Sequence, residues 1–252
     1  MLYIIGLGLH DEKDISIRSK EILENSDIIY LESYTYVSDF DKQKLEKLIS
    51  KKIIELQRKE IEDGMSKIVE QAKDKEVALL VGGDPVSATT HIEIFKEAKE
   101  KGIECRIIHN ASIFTAVSLT GMQIYKFGRT TSIPFPESNP NVETPYNVIK
   151  ENLSIGLHTL ILLDLDPENK KYLTIPDAIS YLLKVESKRK EKVFTKNTIC
   201  IGCARLGGDY KIVSGKAYEL QKIDFGRAPF CLVVPGKLHF SEEEMIKLWK
   251  YN

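Results

Sequence analysis

The segment Gly6-Leu7-Gly8-Leu9-His10-Asp11 follows directly on an apolar run that begins at Leu2, and its residue types suit it to hold a ligand. Glycines at a strand end let backbone approach a bound molecule closely and adopt the positive φ that side chains resist. A second such element, Val81-Gly82-Gly83-Asp84-Pro85, ends another apolar run. Two glycine-bearing loops at strand C-termini belong together on the carboxyl edge of a sheet, where open α/β sheets bind ligands. Asp84 would bring a carboxylate to that mouth, able to meet a ribose hydroxyl, an amino group or a cationic centre. As a residue before proline it is equally suited to a turn.

The first loop invites comparison with the dinucleotide fingerprint GxGxxG, and Glu32 stands where an acidic residue would accept from a ribose. Asp11 occupies the place of the third glycine, however, and Ser16 caps the next helix several residues too late for its N-terminus to hold a pyrophosphate. His91 and His109 adjoin the candidate segments and could accept protons near neutral pH; His10 could line a cleft, and His158 and His239 read as structural. Cys200-Ile201-Gly202-Cys203 has the spacing of half a zinc site or of a redox pair. No second CxxC or CxxH follows, and the run from Thr198 to Ala204 reads as a buried strand, so no metal site is expected. Cys105, Cys200, Cys203 and Cys231 all lie in apolar stretches and should be reduced and mostly buried.

These loops need a scaffold. Apolar β-rich runs alternate with helical patterns, which predicts an α/β protein whose parallel or mixed sheets are covered by helices. In the first half, strands are expected at Leu2 to Leu9, Asp27 to Leu31, Val77 to Val81 and Cys105 to His109. Helices are expected at Ser16 to Glu24, Lys42 to Ile49, Ile61 to Lys73 and Ile92 to Glu100, the last closed by Gly102. The character changes across 110–128, and the proline-rich Ile133-Pro134-Phe135-Pro136-Glu137 follows. A boundary here gives two α/β domains, 1–112 with the glycine-rich loops and 113–252. The second has strands at Thr159 to Leu165, Thr198 to Ala204 and Phe230 to Val234, with helices at Tyr146 to Leu153, Pro176 to Glu191 and Glu242 to Trp249.

The 252 residues carry 36 basic and 37 acidic side chains, so no global field favours direct nucleic-acid binding. No apolar run reaches the roughly 18 residues that span a bilayer, and no signal segment precedes the first strand, which points to the cytoplasm. Lys184 to Lys196 is basic, but Glu186 and Glu191 interrupt it, so a solvated helix face is the simplest reading.

Several motifs together resemble the diphthine synthase family, within the tetrapyrrole methylase superfamily. They are Gly6-Leu7-Gly8-Leu9, Gly82-Gly83-Asp84-Pro85 with Thr89-Thr90-His91, His109-Asn110-Ala111-Ser112-Ile113 and Thr131-Ser132-Ile133-Pro134-Phe135. Tyr146-Asn147-Val148-Ile149, Gly156-Leu157-His158-Thr159-Leu160, Leu163-Asp164-Leu165, Ala204-Arg205 and Val234-Pro235-Gly236 extend the match over essentially the whole chain. The resemblance implies a homodimeric two-domain α/β protein with S-adenosylmethionine in a cleft between the domains. It implies cofactor contacts from Leu9, Asp84, Ser87, Ser112, Ile113, Leu163, Leu206 and Phe230. Phe230 stands where the family often has a histidine, so a side-chain hydrogen bond gives way there to backbone contact. The implied reaction is repeated methylation of an amine on a modified histidine of translation elongation factor 2, and the resemblance assigns no catalytic residue. The competing readings are a tetrapyrrole methylase, an NAD-dependent dehydrogenase resting on the first glycine loop and Glu32, and a non-catalytic module that binds a partner through Lys184 to Lys196. For the dimer, the tyrosine-rich stretch Tyr30 to Tyr36 is the expected exposed aromatic surface.

Overall fold

The computed structural model describes residues 1–32, 37–56, 65–138 and 142–251. They form two compact units, Met1–Ile113 and Phe114–Asn252.

In the first unit the chain alternates β1 (Leu2–Gly6), α1 (Ile17–Asn25), β2 (Ile28–Glu32), α2 (Lys42–Ile49), β3 (Ile54–Leu56), α3 (Met65–Gln71), β4 (Val77–Val81), α4 (Ile92–Glu100) and β5 (Cys105–Ile108). The sheet has the order β3-β2-β4-β1-β5, and every pairing is parallel. Helix starts follow local chemistry: Ser16 Oγ accepts from Ser19 N–H at 3.0 Å, and Asp41 accepts from Gln43 N–H at 2.8 Å. Leu23, Leu45 and Ile49 from α1 and α2 pack with Ile5, Ile29 and Leu31 on one sheet face. On the other, Ile68 and Val69 of α3 and Ile94 and Ala98 of α4 pack with Leu2, Ile4 and Leu79. Both faces are thus covered, which accounts for the unbroken apolar reading of β4, all five of whose residues are buried.

The second unit contains β6 (Thr131–Ile133), α5 (Thr144–Ser154), β7 (Thr159–Leu163), β8 (Leu165–Asp166), β9 (Lys171–Tyr172), α6 (Ile175–Arg189), β10 (Ile199–Ala204), β11 (Lys211–Lys216), β12 (Phe230–Val234) and α7 (Phe240–Leu248). Its main sheet, β11-β10-β12-β7-β6, is mixed: β6 and β7 are parallel and the other pairs antiparallel. Ile175, Ile179 and Leu182 of α6 anchor its core against Leu163, Cys200 and Leu232.

The elements depart from expectation in instructive places. The first strand stops at Gly6 rather than Leu9, because Gly8 turns at φ +82° and Asp14 captures the amides of Leu9 and His10. The run from Thr159 to Leu165 breaks after Leu163, where the Asp164 carboxylate accepts from Phe135 N–H at 3.2 Å and Leu165 N–H at 3.0 Å. The expected helix from Ile61 begins outside the described residues and is seen as Met65–Gln71. Tyr30 is not an exposed aromatic: it is 8% accessible, in β2, with its hydroxyl donating to Gln71 Oε1 at 2.8 Å. Tyr34 and Tyr36 lie outside the described residues. Cys200 and Cys203 sit within β10, and Cys203 is the cross-strand neighbour of Cys231. All four cysteines are free and buried. In the basic stretch, Arg189 is engaged by Glu143 and Glu191 and Lys150 also pairs with Glu191, so those charges are taken up within the unit.

Candidate functional site

The chain leaves β1 toward β2 on one side of the first sheet and leaves β4 toward β5 on the other. The helices that follow, α1 and α4, lie on opposite faces. Between β1 and β4 the connections therefore diverge, and such a switch point opens a crevice at the carboxyl ends of the strands. Both glycine loops lie there. Gly8 N–H donates to Gly83 O at 3.2 Å and Gly83 N–H to Gly8 O at 2.9 Å, an isolated antiparallel bridge that ties the two strand ends together.

The close fit explains why these positions are glycine. A Cβ on Gly6 would stand 2.5 Å from Gly83 O, and one on Gly8 would stand 2.5 Å from Asp14 Cβ. Gly83, at φ +69°, differs: its missing Cβ would lie 3.7 Å from Ala111 O and 3.9 Å from Leu9 Cδ2, ordinary contact distances. Leu9, Gly83 and Ala111 thus adjoin one another, and the buried Ser112 and half-buried Ile113 follow directly in sequence, Ile113 opening a helical turn to Ala116. Asn110 clamps the arrangement from the end of β5, its side-chain amide donating to Gly6 O at 2.9 Å and Asp14 O at 3.0 Å. Asp14 carries no sequence signal of its own, and Asn110 lies within the His109-to-Ile113 motif without a role assigned to it, because its contacts with Gly6 and Asp14 are distant along the chain.

Asp84 is the knot of the site. Its Oδ1 accepts from Val86 N–H at 3.0 Å and Ser87 Oγ–H at 2.9 Å, and its Oδ2 accepts from Asn110 N–H at 3.2 Å and stands 2.8 Å from His109 Nδ1. A carboxylate offers about four lone-pair positions, so these partners use its accepting capacity. Burial pushes the Asp84 pKa up, but Val86, His109, Ser87 and Asn110 outweigh it and hold it below the usual aspartate range. Asp84 therefore differs from the sequence expectation of a carboxylate free to meet a ribose: it joins its own turn to the end of β5 and leaves a fixed negative charge beneath the loops.

The two candidate histidines part company. His91 is 4% exposed, with Nδ1 against Thr89 Oγ1 and Nε2 3.4 Å from Glu32 Oε2. Burial lowers its pKa and Glu32 opposes the shift. Glu32 is itself fully buried, so it is not presented to a ribose, and the dehydrogenase reading loses its acidic residue. His109 instead has a side chain 69% exposed. His10 lies 3.5 Å from Asp39.

In the second unit, Leu163 ends β7, Leu206 follows β10 and Phe230 opens β12. The registers Ala204↔Phe230 and Cys231↔Leu162 place all three at one edge of that sheet. Leu163 and Leu206 are each 6% exposed, and the Phe230 ring packs on the unit's core. Arg205, at φ +51°, braces this edge, with its guanidinium donating to Asp209 O, Phe225 O and Arg227 O at 2.6 to 3.1 Å. Among the described residues no group of three or more His, Cys, Asp or Glu side chains could hold a metal ion, and no helix is long and apolar enough to cross a membrane.

The family model for tetrapyrrole (corrin/porphyrin) methylases matches residues 1–221. The diphthine synthase of Methanocaldococcus jannaschii is 46% identical over 251 residues, 98% of each chain. That of Methanococcus vannielii is 45% identical over 249 residues, again 98% of each. A crystal structure of diphthine synthase superposes with a TM-score of 0.89 at 38% identity, covering 99% of this chain and 96% of that one. Full-length identity at this level, on a shared fold, leads to one conclusion: the chain belongs to the tetrapyrrole methylase family and, within it, to the diphthine synthases.

Proposed function

We propose that this chain transfers methyl groups from S-adenosylmethionine to the amine of an aminocarboxypropyl-modified histidine on translation elongation factor 2, forming diphthine on the way to diphthamide. The observation that carries the reading is the joined pair of glycine loops at the β1/β4 switch point, in a chain 46% identical over its length to a diphthine synthase. The residues suit this cofactor: at Gly83 the bare backbone is exposed to close approach, Leu9 offers apolar contact and the Ala111 carbonyl an acceptor, and the charge of Asp84 favours a cation. We assign it to Leu9, Ser87, Ser112 and Ile113 in the first unit and to Leu163, Leu206 and Phe230 in the second, with Asp84 fixing the loop. The enzyme is read as a cytoplasmic homodimer.

When bound, S-adenosylmethionine supplies a methyl group on a sulfonium leaving group. The protein then has to hold the amine in line with that methyl and exclude water, and positioning of this kind accounts for much of the rate enhancement in such transfers. Calorimetry with S-adenosylmethionine and its demethylated product tests the cofactor assignment. A porphyrinoid methylated in preference to the modified elongation factor would favour the tetrapyrrole branch instead.

A further inference from the structure

We propose that His109, held by Asp84, is the proton acceptor for the substrate amine through its outward Nε2, an inference that rests on the methyl transfer proposed above. The need follows from the chemistry. An amine attacks only with a free lone pair, so a protonated substrate must first lose a proton. Each transfer breaks the carbon–sulfur bond, leaves that electron pair on sulfur and gives an ammonium. Before the next attack an N–H bond must break, with its electrons kept by nitrogen. The quaternary product has no N–H and ends the series.

The geometry points to one imidazole. Asp84 Oδ2, 2.8 Å from His109 Nδ1, favours the tautomer with the proton on Nδ1 and a lone pair on Nε2. Three further donors fix Asp84, so the ring is braced at its base. Its side chain is 69% exposed, so a proton taken on Nε2 can pass to solvent between cycles. Among the described residues the charged group paired with His109 is Asp84. The ring also stands directly before Asn110, at the switch-point edge where Gly6, Gly83 and Ala111 converge. His91 lacks these properties, being 4% exposed with both nitrogens facing protein partners.

The test uses His109→Asn, whose amide can still donate to Asp84 but has no Nε2, beside His109→Ala. Methyl addition to elongation factor bearing the aminocarboxypropyl-histidine is followed by intact mass from about pH 6 to about pH 10, the upper end approaching an ordinary amine pKa. Near neutral pH both variants should be slowed by about 10²-fold, the low end for a positioned acid–base group, with partly methylated product accumulating. The deficit should close as the amine loses its proton unaided, and added imidazole should restore part of the activity of His109→Ala. Calorimetric affinity for the demethylated cofactor should be retained in His109→Asn. Parental rates in the variants, or a deficit equal at every pH and unmoved by imidazole, would overturn the proposal. An inactive parent protein would instead overturn the functional reading, and the proposal with it.

Discussion

Asp84 and His109, 25 residues apart in sequence, meet at 2.8 Å across the carboxyl edge of the first sheet. The contact joins the loop after β4 to the end of β5, so one carboxylate couples the turn that shapes the site to its most exposed imidazole. Asp84→Ala should remove acceptors from Val86, Ser87, Asn110 and His109 together. Each such bond to a charged group contributes about 1.5 to 3 kcal/mol to holding the loop, so the variant should lose stability, and cofactor affinity should fall with the loop's order, as measured by thermal melts and calorimetry. Normal affinity in the variant would make Asp84 a turn residue without influence on the ligand.

Glycine at position 8 is required twice over, by φ +82° and by Asp14, whereas Gly102 has φ +70° with nothing within 4 Å of its missing Cβ. Gly102→Ala should cost only the backbone strain, about 1 kcal/mol, at the low end for a side chain forced into this region. Gly8→Ala should cost more and should also weaken cofactor binding, because Asp14 cannot move without releasing Leu9 and His10. Paired thermal melts and titrations distinguish the two effects.

A buried polar cluster in the second unit sets the acid stability. Glu242 is fully buried and accepts from His158 Nε2–H at 2.9 Å, Gln123 N–H at 3.0 Å, His239 N–H at 2.7 Å and the Lys126 ammonium. Burial pushes its pKa up, but Lys126, Gln123, His239 and His158 outweigh this and bring it down from 4.5 to about 2. A carboxyl lowered on folding stabilises the protein above its unfolded pKa and loses that contribution as pH falls through the folded one, here between 4.5 and about 2. The full loss is roughly 3 kcal/mol by linkage. His158, which accepts from Gly236 N–H at 2.8 Å, is also lowered, by burial first, so its contribution is lost as pH drops below the usual 6.5. Melting temperature against pH should decline over both intervals, and Glu242→Gln should flatten the lower one.

The extent to which the sequence disclosed this site follows from physical range. Gly6, Gly8 and Gly83 announce themselves because a strand-end turn restricts residue type locally, and β4 is plain because both its faces are buried. Strand β11, Lys211–Lys216, is hidden by its lysines, serine and glycine: it lies at a sheet edge and needs little apolar character. The work of Asn110 is equally hidden, since its partners Gly6 and Asp14 are roughly a hundred residues away. Glu32 misled for the same reason, as its position at the end of β2 fits a ribose contact and only folding sets it against His91.

The cysteines offer a simple check of burial. Cys105 is pushed up to about 11 by desolvation, and Cys200 and Cys203 are raised as well, Cys203 first through its contact with Cys231. A thiol-reactive dye should modify none of the four rapidly in native protein and all four after denaturation, since thiolate character and access control the reaction. Fast native labelling of Cys200 and Cys203 together would revive the redox reading of that pair.

The most direct measurement is the intact mass of elongation factor bearing the aminocarboxypropyl-histidine, followed over time with enzyme and S-adenosylmethionine. Stepwise addition should proceed until the nitrogen is trimethylated, because no lone pair then remains to attack another sulfonium. It should require the folded factor, since the binding energy that orients the amine comes from contacts beyond the reacting group. Failure to methylate that protein, with ready methylation of a tetrapyrrole under the same conditions, would contradict the account.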